Sequence, residues 1–256
     1  MAETEIGLGK SGRRAYRLDE IAIIPSRRTR DPEDVDISWQ IDAYRFDIPV
    51  LAASTDSVTS PATAVQMGEL GGVGVLDLEG VWTRCEDPTS ELAELGAMPV
   101  DTAAGRLREL YSRPIQPELV AARIAEIAET GVRTAGRVRP QRAVELAPHA
   151  ISAEIDLLVI SGTIVSAEHV SSSVDPLNLK TFIRRMQTPV IVGGCVSYQA
   201  ALHIADALHE REYPAQARVH RALVAAQHLD EAPLIGADDA DTERGNEDQR
   251  QRDDDE

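Results

Sequence analysis

Three short polar segments carry the residues best suited to chemistry in this sequence. Ser54-Thr55-Asp56-Ser57 places three hydroxyls and a carboxylate directly after the apolar run 48–53. Ser161-Gly162-Thr163 follows the run Asp156-Leu157-Leu158-Val159-Ile160, and Gly193-Gly194-Cys195 follows the run 190–192. Hydroxyls and a carboxylate at the exit of an apolar strand suit the orientation of a sugar or a phosphate. Asp56 has an equal claim as the cap of a turn. Cys195 is a thiol at a strand exit, but no histidine lies near it in sequence to take its proton. A small buried side chain is therefore preferred to a nucleophile there.

Other chemistries find less support. Only two lysines occur, and Lys180 falls inside a helical pattern, away from the strand ends where a Schiff-base lysine would emerge. Arg27, Arg28 and Arg30 form a basic loop, but the acidic run 31–36 follows at once, so a solvated, ion-paired loop is preferred to a phosphate site. There is no CxxC pair, and the six histidines are scattered, which leaves no zinc pattern. GxSxG and the Walker A loop are absent. Gly71-Gly72-Val73-Gly74 precedes its strand and does not follow it, so it reads as a tight helix-to-strand turn.

The elements that must position these segments alternate. Residues 48–53 form a short apolar strand, Ser60-Pro61 caps a helix running to about Leu70, and Gly71-Gly72 stops it before a second strand at 73–76. The segment 88–111 is helical with a break near Met98-Pro99, and Glu91 is read as the capping-box partner of Asp87. Residues 117–130 give the clearest amphipathic helix, with Val120, Ile124, Ile127 and Ala128 on one stripe and Gly131 as its stop. Strands are expected at 132–138, 156–160 and 190–192. Helices are expected at 140–147, at 175–186 with Asp175-Pro176 as cap, and from Ser197. Pro49-Val50-Leu51 and Pro189-Val190-Ile191 echo each other, each ending in small residues and running into an Ala-rich helix. Five strands alternating with helices predict an α/β fold with a parallel sheet, a (β/α) barrel or an open doubly wound sheet. In either, ligands sit at the C-terminal strand ends.

The expected organisation is a flexible lead-in at 1–15, a partial barrel at 16–208, a helical stretch at 209–235 broken at Pro214, and a disordered acidic tail at 236–256. The net charge is −17, and residues 230–256 hold twelve Asp and Glu against three Arg, a net of −9. This balance argues against binding nucleic acid through its phosphates. No apolar run is long enough for a membrane span, and residues 1–14 carry no secretory h-region. Two cysteines far apart, Cys85 and Cys195, suit free thiols in a reduced cytoplasmic setting.

The run from Pro49 to Gly74, with Thr55-Asp56-Ser57-Val58-Thr59 and Leu70-Gly71-Gly72-Val73-Gly74, resembles the start of the IMP dehydrogenase / GMP reductase barrel. Similar matches are Ile23-Ile24-Pro25-Ser26-Arg27-Arg28-Thr29-Arg30, the segment 42–50, the segments 156–166 and 189–203, and Pro176-Leu177-Asn178-Leu179-Lys180-Thr181-Phe182. Together they resemble the short branch of that family without the inserted CBS pair. The resemblance implies a (β/α)8 TIM-type barrel, and a habit of homo-oligomers where the barrel is complete. It also implies an NAD-dependent oxidoreductase of guanine nucleotide synthesis, in which a loop cysteine attacks C2 of IMP, NAD takes the hydride and water releases XMP. GMP is the alternative substrate. On the resemblance, Ser54, Thr55, Asp56, Gly193, Gly194 and Cys195 would bind the purine nucleotide, and Ser161, Gly162 and Thr163 the NAD. Thr55 stands where the family has Met, Ser161 where it has Asp, and Cys195 where it has Asn, so Cys195 does not match the catalytic cysteine. Nothing after His203 resembles the family's Cys-Thr loop or its phosphate loops. The expectation is an incomplete barrel of about five βα units, altered from about His203, with no catalytic residue assigned and no turnover of IMP. The alternative is a non-catalytic interaction partner of a full-length paralogue.

Overall fold

The computed structural model describes residues 3–13, 20, 22, 24, 30–162, 165, 176–195 and 198–209. Most of the stretch 16–24, the arginines at 27 and 28, Thr163, and everything from residue 210 on lie outside them. The chain divides into two compact units. In the first, strands β1 (Glu3–Gly7) and β2 (Lys10–Arg13) form an antiparallel hairpin. The polar composition of the lead-in gave no sign of this pairing.

The second unit lies within residues 24–227 and holds the parallel sheet. Its strands are β5 (Leu51–Ala52), β6 (Val73–Asp77), β7 (Ala135–Val138), β8 (Leu157–Ser161) and β9 (Val190–Gly193). They run in sequence order and all parallel, giving a curled half-barrel. The first strand is shorter than the apolar run 48–53: only two residues enter the ladder, Leu51 opposite Val73 and Ala52 opposite Gly74.

Apart from Asp77, Arg137 and Ser161 toward their C-terminal ends, the strands are apolar because both faces are covered. On the outer face Leu76, Val138, Leu158, Ile160, Val190 and Val192 pack under the helices. These are α1 (Pro61–Glu69), α4 (Pro117–Ala128), α5 (Ala143–Ser152), α6 (Leu179–Arg184) and α7 (Tyr198–His209). On the inner face Val73, Val75, Ala135, Leu157, Val159 and Ile191 meet a second hairpin, β3 (Trp39–Ile41) with β4 (Tyr44–Phe46). Ahead of the first parallel strand the chain turns back on itself in this hairpin, because Trp39, Ile41 and Phe46 are the side chains that close the inner face from below. Trp39 stacks on Phe46 at 4.7 Å and donates from Nε1 to the carbonyl of Ile48 at 2.8 Å.

Caps are set by local spacing. Ser60 and Thr63 form a reciprocal box: Thr63 N donates to Ser60 Oγ at 3.1 Å and Ser60 N to Thr63 Oγ1 at 2.7 Å. Asp87 caps α2 (Pro88–Ala97) through Ser90 N. Glu91 sits one residue past the capping-box position and turns to Arg106 and Arg113 of the following region instead, which corrects the expected box. Helix α3 (Val100–Ser112) starts after the Met98-Pro99 break. Helix α6 starts at Leu179, capped by Asn178 accepting from Thr181 N; residues 176–178 are not helical, and the expected cap Asp175 lies outside the described residues. Helix α5 follows a 3-10 turn at Pro140–Arg142 and continues through Pro148, beyond the expected end at residue 147, because Ala150 on its last turn is buried in the core. Among the described residues no helix is long and apolar enough to cross a membrane.

Helix α1 sits on β6 at backbone contact. A Cβ on Gly74 would lie 2.3 Å from the Cα of Ala64. No rotamer relieves a clash with a main-chain atom, so Gly74→Ala must push helix and strand apart. The expected loss is about 1–3 kcal/mol in urea unfolding. The control is Gly105→Ala, in open space on α3, where a gain of about 0.5–1 kcal/mol is expected.

Candidate functional site

Period-2 alternation decides which side chains face inward. On β6, Val73, Val75 and Asp77 share the inner face; on β7, Ala135 and Arg137 do. The register sets Asp77 opposite Arg137, and both stand at the C-terminal end of the sheet. Arg137 Nη1 lies 3.3 Å from each oxygen of Asp77, and Asp77 Oδ1 also accepts from Glu79 N at 3.0 Å. Burial raises the Asp77 carboxyl above its ordinary range. The Glu79 N–H and Arg137 oppose this, while the charges of Asp56 and Glu79 add to it.

Two residues on, the pattern repeats. Glu79 is 3 % exposed and is fully engaged by Arg139. Its Oε1 accepts from Arg139 N at 2.6 Å, and its Oε2 from Arg139 Nε at 2.8 Å and Nη2 at 2.6 Å. Burial pushes this carboxyl up, but the hydrogen bonds and charge of Arg139 outweigh it and hold it below its usual range. Arg84 then donates from Nε to the Glu79 carbonyl at 2.9 Å and from Nη1 to the carbonyl of Arg113. Burial pulls its guanidinium below the ordinary value, and the neighbouring charge of Arg142 adds to this.

Asp56, at the exit of β5, is drawn into the same network. Its Oδ2 accepts from Val81 N at 2.9 Å and from the Tyr111 hydroxyl of α3. Its Oδ1 is buried with no partner, and a Cβ on Gly80 would lie 2.3 Å from it. Burial, followed by the bond to Asp56, raises the Tyr111 hydroxyl well above its ordinary value. The carboxylate is thus neither a local turn cap nor open to the mouth. It ties the exit of β5, the turn at Val81 and helix α3 together.

Of the other expected site residues, Thr55 is exposed, with Oγ1 3.3 Å from Ser57 Oγ, and Ser54 is half-buried. Ser161 and Gly162 come together with Gly193 and Gly194: Gly162 N donates to Gly193 O at 3.1 Å and Gly194 N to Gly162 O at 3.2 Å. Cys195 packs half-buried against the outer core, and burial raises its thiol. Thr163 lies outside the described residues. The expected nucleotide residues are therefore split between the two edges of the sheet, β5 and β9, and the described NAD residues lie at the end of β8 beside the latter. Between them stands the charge ladder of β6 and β7, which the sequence reading missed. Its signal was present as acids at 77 and 79 and arginines at 137 and 139, both two apart, each following a strand run of the same parity. Among the described residues no group of three or more His, Cys, Asp or Glu is placed to hold a metal.

The two carboxylates of the ladder titrate in opposite senses. Glu79, depressed in the folded chain, contributes stability above its unfolded pKa of about 4.3, and that stability is lost as pH falls through the folded value. Asp77, raised in the folded chain, contributes stability at low pH that is lost as pH rises through its folded value. Glu79→Gln should cost about 2 kcal/mol at neutral pH, with the deficit shrinking in urea melts taken at falling pH below about 4.3. Asp77→Asn should show the reverse, with the wild type gaining on it as pH falls.

Comparison with known proteins agrees with this frame. The sequence profile of the IMP dehydrogenase / GMP reductase domain matches residues 15–210. Uncharacterized oxidoreductases of Mycobacterium bovis and Mycobacterium tuberculosis are 51% identical over 205 residues, covering 78% of this chain and 55% of theirs. An inosine-5'-monophosphate dehydrogenase of Methanocaldococcus jannaschii is 31% identical over 64 residues, 25% of this chain and 13% of that one. The crystal structure of an IMP dehydrogenase/GMP reductase-like protein from Corynebacterium glutamicum superposes with a TM-score of 0.74 at 42% identity, covering 80% of this chain and 55% of that one. The chain thus spans about 55% of the length of these longer relatives. With a matching profile across most of its length and the family's parallel barrel strands in order, the chain belongs to the IMP dehydrogenase / GMP reductase family of oxidoreductases.

Proposed function

We propose that this chain is the nucleotide-facing part of an NAD-linked purine nucleotide oxidoreductase, with IMP as substrate and XMP as product. GMP is the substrate if the chemistry runs as a reductase. One observation carries the reading. The exits at Ser54–Asp56, Ser161–Gly162 and Gly193–Cys195 lie along the C-terminal edge of one parallel sheet, the edge on which such folds bind ligands. Ser54, Thr55 and the backbone of Gly193, Gly194 and Cys195 would hold the nucleotide, and Asp56 would act by holding their loops. Ser161, Gly162 and Thr163 would hold NAD, which supplies the hydride acceptor when bound.

By itself the chain binds without turning over. Covalent attack on a purine needs a thiolate beside it. The sequence holds two cysteines. Cys85 is buried, with its sulfur 3.1 Å from Arg113 Nη1, and the Cys195 thiol is raised by burial. Isothermal titration of the purified chain should show IMP binding, while absorbance at the NADH band stays at background with IMP and NAD. An absence of binding sinks the nucleotide reading, and steady NADH formation sinks the claim of no turnover.

A second reading is favoured by the sheet order. Among the described residues β9 has one strand neighbour, β8. An open parallel edge can take further strands from another chain, so the half-barrel would act as a partner of a full-length relative. Sedimentation of the chain mixed with such a relative should then give a heteromer, and two independent boundaries would reject this role.

A further inference from the structure

Glu79 and Arg139 form a closed pair, because both oxygens of Glu79 are taken by Arg139 donors. Asp77 and Arg137 do not close in this way. A single nitrogen, Nη1, serves both oxygens of Asp77 at 3.3 Å, long for a charge-assisted bond. Among the described residues Nε and Nη2 of Arg137 have no hydrogen-bond partner. The Arg137 side chain keeps 18% of its surface exposed and that of Asp77 11%. Asp77 Oδ2 carries only the long contact to Arg137.

The same inner layer continues across the sheet as Val159, in register with Arg137, and Ile191, in register with Val159. Both keep 9% of their surface, the most open of the buried inner-face apolar residues. The mouth therefore offers a donor and an acceptor side by side, next to an apolar floor of Val159 and Ile191. A phosphate would meet the carboxylates of Asp77 and Glu79 together. A neutral planar ring with an adjacent N–H and C=O would satisfy both open valences and cover the floor.

We infer that Arg137 and Asp77 form a recognition site for the N–H/C=O edge of a neutral planar lactam or carboxamide, seated on Val159 and Ile191. This rests on the nucleotide reading above and assigns to this place the heterocycle and not the phosphate. Two sources carry that edge, the oxopurine and the carboxamide of a nicotinamide.

The test is titration of the full chain with IMP, ribose 5-phosphate, inosine, purine riboside (inosine without its lactam), and the mononucleotides of nicotinamide and nicotinic acid. The wild type should prefer inosine over purine riboside, or the nicotinamide over the nicotinic acid ligand, by about tenfold or more. In Arg137→Met that preference should vanish while ribose 5-phosphate binds unchanged, a selective change that general loosening of the fold would not give. Where Arg137→Met fails to fold, the neutral pair Asp77→Asn with Arg137→Gln takes its place. Discrimination between inosine and purine riboside assigns the edge to the purine, and discrimination within the nicotinamide pair assigns it to the cofactor. Preference retained in the variant, or IMP binding by the wild type with no discrimination in either pair, overturns the site and leaves the nucleotide reading standing. A wild type that binds none of these ligands overturns both.

Discussion

A carboxylate buried inside a barrel must find a cation or remain protonated. Strand β6 ends in Asp77 and the turn after it carries Glu79; the strand beside it answers with Arg137, in register with Asp77, and with Arg139 just past its end, on Glu79. This constraint organises the whole rim. The Glu79 carbonyl fixes Arg84, Arg84 reaches the carbonyl of Arg113, and Arg113 binds Glu91 on α2. Asp56 closes the circuit from the other side through Val81 and Tyr111. Loops that would otherwise hang over the mouth are thereby anchored to the ends of two central strands.

The two rungs of the ladder are unequal. Glu79 gains a bidentate guanidinium and a backbone N–H, enough to overcome burial. Asp77 gains one shared nitrogen and a backbone N–H, which is not enough. A low dielectric strengthens whatever contact is made and penalises whatever is left unmade. The under-satisfied rung is thus the one with free energy to gain from an added donor or acceptor, and it is the rung facing the interior of the mouth.

The strands were legible because burial on both faces makes them continuous apolar runs, and α1 was legible because Ser60-Pro61 and Gly71 mark its ends. The family motif at Pro49 to Gly74 lies in that same legible unit. What failed was pairing at a distance. Nothing local says that Trp39 and Phe46 will stack, so the β3–β4 hairpin was not among the expected elements. Glu91 shows how one residue of offset from the capping-box position frees a carboxylate for Arg106 and Arg113, and Asn178 how a later side chain takes over a cap. Asp56 looked like a rim ligand because its partners Val81 and Tyr111 lie 25 and 55 residues away. The ladder was written in parity, but only the register of two strands turns matching parity into contact.

The inner face also explains where a ligand can go. A curled sheet of five strands has an apolar concave side that water would otherwise reach. The β3–β4 hairpin covers its N-terminal part with Ile41, Phe46 and Trp39, packed on Val73, Val75, Ala135 and Leu157. Toward the C-terminal ends of the strands the layer changes character to Asp77, Arg137, Val159 and Ile191, then to the small exits at Ser161 and Gly193. The bottom is closed by hydrophobic burial that needs no ligand. The top is lined by groups that burial alone leaves partly unsatisfied, so the inner face has one end that gains from an occupant, and it is the end where the polar strand exits converge.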